Sequence, residues 1–122
     1  MRSVFMSSLR IEAIDNYHPS WPSVMETVGQ LGFLEELNLD SEGWLPARQV
    51  LLAGFFQTQV AGFICFSIVP KIQHGAVGLM AQVESIGVRS DYAYDAVERE
   101  LLHAAEQRSR GLKCQAVISK AA

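Results

Sequence analysis

The stretch IGVRSDYAYDAVERELLHAAEQ, residues 86–107, has the pattern with the clearest chemical meaning. Apolar Ile86 and Val88 end a strand-like run, and helical spacing of apolar residues follows a short polar loop. In this layout the bare amides and positive dipole of the helix N-terminus often bind a phosphate. The loop, however, contains no glycine, and Asp95 and Glu98 lie where the helix begins.

Asp95 and Glu98 have the D-x-x-E spacing of a capping box, in which the protein's own carboxylates satisfy the first helical amides. The two carboxylates would also repel a pyrophosphate, by about 1 kcal/mol for each pair of charges near the surface. The alternative is an ordinary helix start, with Asp91 as an earlier cap and Tyr92 and Tyr94 as packing aromatics. Both interpretations predict weak binding of an anion.

The remaining residues exclude several classes of function. A formal charge of −3 without a Lys/Arg stripe argues against a nucleic-acid partner. No run of about 18 apolar residues is present, and the first residues do not form a secretory signal, so we expect no membrane association and a cytoplasmic location. Cys65 and Cys114 lie in apolar runs typical of reduced core residues, and His18, His74 and His103 are too far apart for a metal site.

The apolar patterns predict a single domain, residues 1–122, in the order β-α-α-β-β-β-α-β. LRIEAI is the first strand, two helices follow, and QVLLAGF and VAGFICFSIV form a hairpin around Gln57 and Thr58. Pro70 is expected to end the third strand, with PKIQHGAVG as a connection to LMAQVESIGV. A helix over about residues 95–110 and the strand KCQAVIS complete an α/β (α+β) fold, with a mixed, mostly antiparallel sheet of about five strands flanked by helices.

This order, with VAGFICF in the third strand and VESIGVRSDY ending the fourth, resembles the GNAT superfamily of acyl-CoA-dependent N-acetyltransferases. The resemblance implies acetyl-CoA as cofactor and no metal. It implies that the backbone of the fourth strand, here Ile86 and Val88, binds the pantetheine arm. The amides of the following loop and helix start, here Ala93, Tyr94, Asp95 and Ala96, would bind the pyrophosphate.

The loop departs from the family's Q/R-x-x-G-x-G/A signature. Ala93 stands at the Gln/Arg position, Ala96 at the first glycine and Glu98 at the final Gly/Ala position. Family members also continue past the fifth strand into a helix and two strands that often carry a tyrosine acid, whereas this chain ends at Ala122. We therefore expect lost or impaired acetyl-CoA binding, and a C-terminal strand edge that a second copy of the chain or another protein covers.

The resemblance also implies a catalytic role for Glu84, since several members place a carboxylate on the fourth strand as a general base. Strand alternation groups Glu84 with Ile86 and Val88. The alternative is a solvated or salt-bridged glutamate, and the acids at Glu35, Glu36 and Asp40 either line an amine-binding mouth or form a solvated face.

Three possibilities remain open. The first is a GNAT-like binding or regulatory module that has lost catalysis, and the second is a small divergent acetyltransferase that acts on a primary amine with Glu84 as base. The third is a chain that shares only the fold, since a fold does not fix function.

Overall fold

The computed structural model of the protein describes residues 9–119, apart from the side chains of Gln73 and Ser119. The elements follow in the order β1 (Leu9–Ala13), α1 (Trp21–Gln30), a 3-10 helix (Leu34–Leu37), β2 (Gln49–Phe56), β3 (Gln59–Gln73), β4 (Ala76–Val88), α2 (Tyr94–Gly111) and β5 (Cys114–Ser119). This confirms the predicted mixed α and β fold and its order, with a 3-10 helix as the second helix.

The strands form one five-stranded sheet in the order β1-β2-β3-β4-β5. Neighbouring strands are antiparallel except β4 and β5, which are parallel. Parallel neighbours need a crossover connection, and α2 provides it. Neither α-helix between residues 9 and 119 combines the length and apolar character that a bilayer crossing requires.

The helices cover opposite faces of the sheet. On the face that we call the α1 face, the buried cluster combines α1, the 3-10 helix and the sheet through Val24, Val28, Leu37, Phe55, Phe63 and Cys65. On the opposite α2 face, the cluster combines α2 and the sheet through Ile64, Phe66, Ala81, Val97, Leu101 and Ala105. The alternation along β3 therefore distributes its apolar residues to both faces. Burial of each of these phenylalanine side chains contributes about 2 kcal/mol to the free energy of folding.

The hairpin of β3 and β4 is longer than the sequence predicts. Strand pairing continues past Pro70, and the turn occurs at His74 and Gly75, whose φ angles of 52° and 80° are the left-handed values of a type I′ turn. Pro70 fits within β3 because the N–H that it lacks would point toward β2, and β2 does not extend as far as Pro70. The last backbone hydrogen bond from β3 on that side is donated by the Ile68 amide to the Arg48 carbonyl, at 2.9 Å.

Candidate functional site

A β-bulge in β4 determines where Glu84 lies. Cys65 of β3 pairs with Ser85, whereas Phe66, the next residue, pairs with Val83, so Glu84 is the extra residue that the bulge adds to β4. The bulge reverses the alternation of β4: Ala81 and Val83 before it, and Ile86 and Val88 after it, all pack on the α2 face. The predicted grouping of Glu84 with Ile86 and Val88 is therefore wrong.

The carboxylate of Glu84 instead binds polar side chains of the α1 face. The Ser67 hydroxyl donates to Glu84 Oε2 at 2.8 Å, and the Gln82 amide donates to the same oxygen at 3.1 Å. Ser67 follows Cys65 by two residues and so shares its face. Two donors on one oxygen fix the orientation of the carboxylate.

Glu84 also affects the buried thiol beside it. Burial, and secondarily the negative charge of Glu84, raises the pKa of Cys65 to about 12. Its Sγ lies 3.7 Å from Gln49 Oε1, to which the protonated thiol donates. Cys65 is therefore not a nucleophile at neutral pH, because the reactive form is the thiolate.

Strand β4 has one backbone edge toward β3 and the other toward β5. The described pairing with β5 runs from Leu79 to Val83 of β4, where Val83 pairs with Ser119, the last residue described. Pairing with β3 continues to Val88. Extended backbone at a strand edge can pair with amide groups of a ligand.

Helix α2 begins at Tyr94, close after this edge. Its N-cap is Ala93, with φ −70° and ψ 100°, and no side chain caps the helix start. The first helical bond runs from the Val97 amide to the Ala93 carbonyl at 3.0 Å, so the amides of the three residues between them have no carbonyl acceptor within the helix. The predicted D-x-x-E capping box is therefore wrong, since Asp95 lies inside the first turn and not at the N-cap position.

The other acids near this helix start are engaged elsewhere. The Tyr94 hydroxyl and the Glu98 carboxylate interact across one helical turn, and this hydrogen bond is the main cause that raises the pKa of Tyr94. Asp91, the alternative cap, accepts two hydrogen bonds of 3.1 Å from the Arg89 guanidinium. Only Asp95 therefore adds negative charge to the first turn itself.

A cavity of about 700 Å³ opens beside the start of α2, and Ala93 and Ala96 are among the residues that line it. Its wall includes Tyr92, whose ring stacks on Phe56 with centroids 5.2 Å apart. The Tyr92 hydroxyl donates to Gln59 Oε1 at 3.0 Å, which holds the loop against the start of β3. Small side chains at residues 93 and 96 leave the helix end accessible from this cavity.

The predicted residues thus lie on β4 and at the start of α2, with the Glu84 side chain on the α1 face. Ser67 and Gln82, the partners of Glu84, were not predicted, although polar residues at these positions in two apolar strands were a usable signal. Within residues 9–119, no group of three His, Cys, Asp or Glu side chains is placed to hold a metal ion.

Comparison with known proteins gives matches in structure alone. No protein-family model and no curated protein sequence matches the chain. A GNAT family acetyltransferase from Staphylococcus aureus superimposes with a TM-score of 0.70 at 12% identity, covering 94% of this chain and 87% of that chain. An aminoglycoside antibiotic 6'-N-acetyltransferase from Acinetobacter haemolyticus gives 0.70 at 18% identity, covering 93% and 79%.

A ribosomal-protein-alanine N-acetyltransferase from Brucella melitensis biovar Abortus gives a TM-score of 0.68 at 16% identity, covering 94% of this chain and 81% of that chain. At such identities the similarity shows the fold and not the substrate. The order of elements and the mixed sheet with its parallel β4–β5 pair agree with this similarity. The chain has the fold of the GNAT superfamily of acetyltransferases.

Proposed function

We propose that this protein is an acetyl-CoA-dependent N-acetyltransferase that acts on a primary amine, with Glu84 as the general base. The observation that carries the proposal is the uncapped start of α2 beside an open cavity, close after the β4 edge that runs through Ile86 and Val88. Two of the structural neighbours are by name N-acetyltransferases, which supports an amine as acceptor.

The residues along this edge fit acetyl-CoA in chemical type. The backbone of Ile86 and Val88 would bind the amide groups of the pantetheine arm, as one strand binds another. The first amides of α2, from Tyr94 to Ala96, would bind the pyrophosphate. When bound, acetyl-CoA supplies an acetyl group activated as a thioester. Asp95 opposes the pyrophosphate charge, so we expect a dissociation constant in the range of tens of micromolar or weaker.

Glu84 is suited to remove a proton from the acceptor. An ammonium group must lose a proton before its nitrogen can act as a nucleophile, and an ionised carboxylate within reach, directly or through one water, can accept that proton. The donors from Ser67 and Gln82 hold the Glu84 carboxylate in one orientation on the α1 face. The base is therefore positioned before the substrates bind.

The proposal is tested by calorimetric titration of acetyl-CoA and by turnover with a panel of amines. The substitution Glu84→Gln should lower kcat by about 10²–10⁴-fold while leaving acetyl-CoA affinity within about twofold. Glu106→Gln, at an exposed residue of α2 that does not line this cavity, removes the same charge and serves as the control. Full activity in Glu84→Gln would contradict the role of Glu84 as base.

The second candidate function is a binding module without catalysis. It is favoured by the charge of Asp95 in the first turn of α2 and by the lack of glycine in the loop before it. The same titration separates the two, because a protein that gives no heat with millimolar acetyl-CoA does not use this cofactor. The homodimer or partner expected at the open edge of β5 stays a prediction.

A further inference from the structure

Two loops are joined at the end of the sheet where β1 ends and β2 begins. The side chain of Asn16, in the loop after β1, donates to the Gly43 carbonyl at 2.9 Å and accepts from the Leu45 amide at 3.0 Å. Gly43 and Leu45 belong to the loop before β2 and are the two neighbours of Trp44. These two hydrogen bonds therefore fix the backbone on both sides of Trp44 against the residue that precedes Tyr17.

The rings of Tyr17 and Trp44, which we call the aromatic pair, are in contact with each other across these loops. Their centroids lie 5.1 Å apart at an interplanar angle of 62°, an edge-to-face arrangement. Tyr17 is nevertheless 82% exposed and Trp44 39% exposed. Large aromatic side chains that face solvent from a backbone held in place are typical of a surface that contacts another molecule.

The charge around the aromatic pair is negative. The Tyr17 amide donates to Asp15 Oδ1 at 2.9 Å, and the Trp44 amide donates to Asp40 Oδ1 at 2.9 Å, so each ring has a carboxylate bound to its own backbone. Residues 14–47 include six of the chain's 13 Asp and Glu residues and none of its 10 Lys and Arg residues. Both this field and the electron-rich faces of the rings attract a cation.

We propose that the aromatic pair is a docking surface for a basic peptide segment of a partner protein, and that it binds an arginine side chain of that segment. A guanidinium is planar and weakly hydrated, so it stacks on an aromatic ring more readily than an ammonium does, and the carboxylates of Asp15 and Asp40 complement its charge. A peptide fits better than a free small cation because the rings lie on an open surface. Only a longer ligand covers both loops and so offsets the loss of freedom on binding.

The experiment measures by calorimetry the binding of the blocked peptide acetyl-Gly-Arg-Gly-Arg-Gly-amide and of its citrulline counterpart, which has the same shape without the charge. The arginine peptide should bind wild-type protein at least about fivefold more tightly. The double substitution Tyr17→Leu and Trp44→Leu should weaken its binding at least about fivefold, since two cation–π contacts are lost while apolar side chains remain.

Matched variants control for general effects of substitution. Ile72→Ala removes an equally exposed apolar side chain from β3 and should change the affinity by less than about twofold. Asp40→Asn keeps the oxygen that accepts the Trp44 amide but removes the charge, and it should weaken binding more than Glu106→Gln, the same change at an exposed residue of α2. Tyr17→Leu alone tests the surface without altering a buried contact, should the double variant fail to fold.

Equal affinity for the two peptides, no binding up to about 5 mM, or equal effects of the Tyr17 and Ile72 substitutions would overturn the inference. The inference does not depend on acetyl transfer, because acetyl-CoA is absent and the N-terminus of the peptide is blocked. Peptide binding in a protein that never acetylates an amine contradicts the proposed function alone. Acetylation by a protein that does not distinguish arginine from citrulline contradicts this inference alone.

Discussion

A cap introduced at the start of α2 should stabilise the protein and weaken its binding of acetyl-CoA. Ala93 is the N-cap and has no side-chain oxygen, yet its φ of −70° and ψ of 100° already lie in the β region that a capping serine adopts. In Ala93→Ser, the new hydroxyl accepts a bond from one of the first helical amides without moving the backbone. An N-cap of this type contributes about 1 kcal/mol, which corresponds to an increase in Tm of about 3 °C for a chain of this size.

The same amide is then no longer available to a pyrophosphate unless the serine bond breaks first. About 1 kcal/mol is therefore lost from binding, which is roughly a fivefold increase in Kd. Thermal denaturation and calorimetric titration measure the two effects on one preparation. Ala104→Ser, which places the same hydroxyl in the interior of α2 and away from its start, is the control. A higher Tm with unchanged acetyl-CoA affinity would refute the assignment of these amides to the cofactor.

Two further predictions concern the sheet. Gly62→Ala should lower the free energy of unfolding by about 1–3 kcal/mol in urea denaturation, since its Cβ would lie 2.6 Å from the Gly87 carbonyl oxygen. The control is Gly78→Ala, whose Cβ meets only the flexible Gln115 side chain at 2.5 Å and which should cost well under about 1 kcal/mol. Burial raises the pKa of Cys65 to about 12, so the folded state keeps this thiol protonated at pH values where the unfolded chain loses the proton. The stability that the thiol contributes is therefore complete below pH 9 and declines as the pH rises toward 12, by up to about 1.4 kcal/mol per pH unit. Stability of Cys65→Ala should depend less on pH in this window, and equal slopes for the two proteins would contradict a buried protonated thiol.

The order of elements could be predicted from the sequence because each element has a local signal. The hairpin at Gln57 and Thr58 and the long helical spacing after residue 95 are examples. The continuation of β3 through Pro70 could not, because it depends on the length of β2, which ends before it and leaves that side of Pro70 without a pairing strand. A proline is compatible with such an edge and incompatible with the interior of a sheet.

The role of the candidate site stays a prediction, and only its secondary structure can be compared with the sequence. The strand, loop and helix start over residues 84–96 were predicted, whereas the capping box required Asp95 to be the N-cap, and the backbone places Ala93 there. The face on which Glu84 lies could have been predicted from the sequence. Apolar residues recur at positions 81 and 83 and then at 86 and 88, and this break in the period of two indicates a bulge. The hydrogen bonds of Glu84 join residues 17 positions apart in sequence, which no local pattern specifies.

The bulge at Glu84 couples the position of this acid to the packing of α2. One extra residue turns the carboxylate toward the α1 face, while the apolar residues before and after it stay on the α2 face. Any change in strand length that restored regular alternation would move either the acid or one set of these apolar residues to the other face. The side on which the acid lies can therefore change only together with the core under α2, whatever substitutions accumulate in the loops around them.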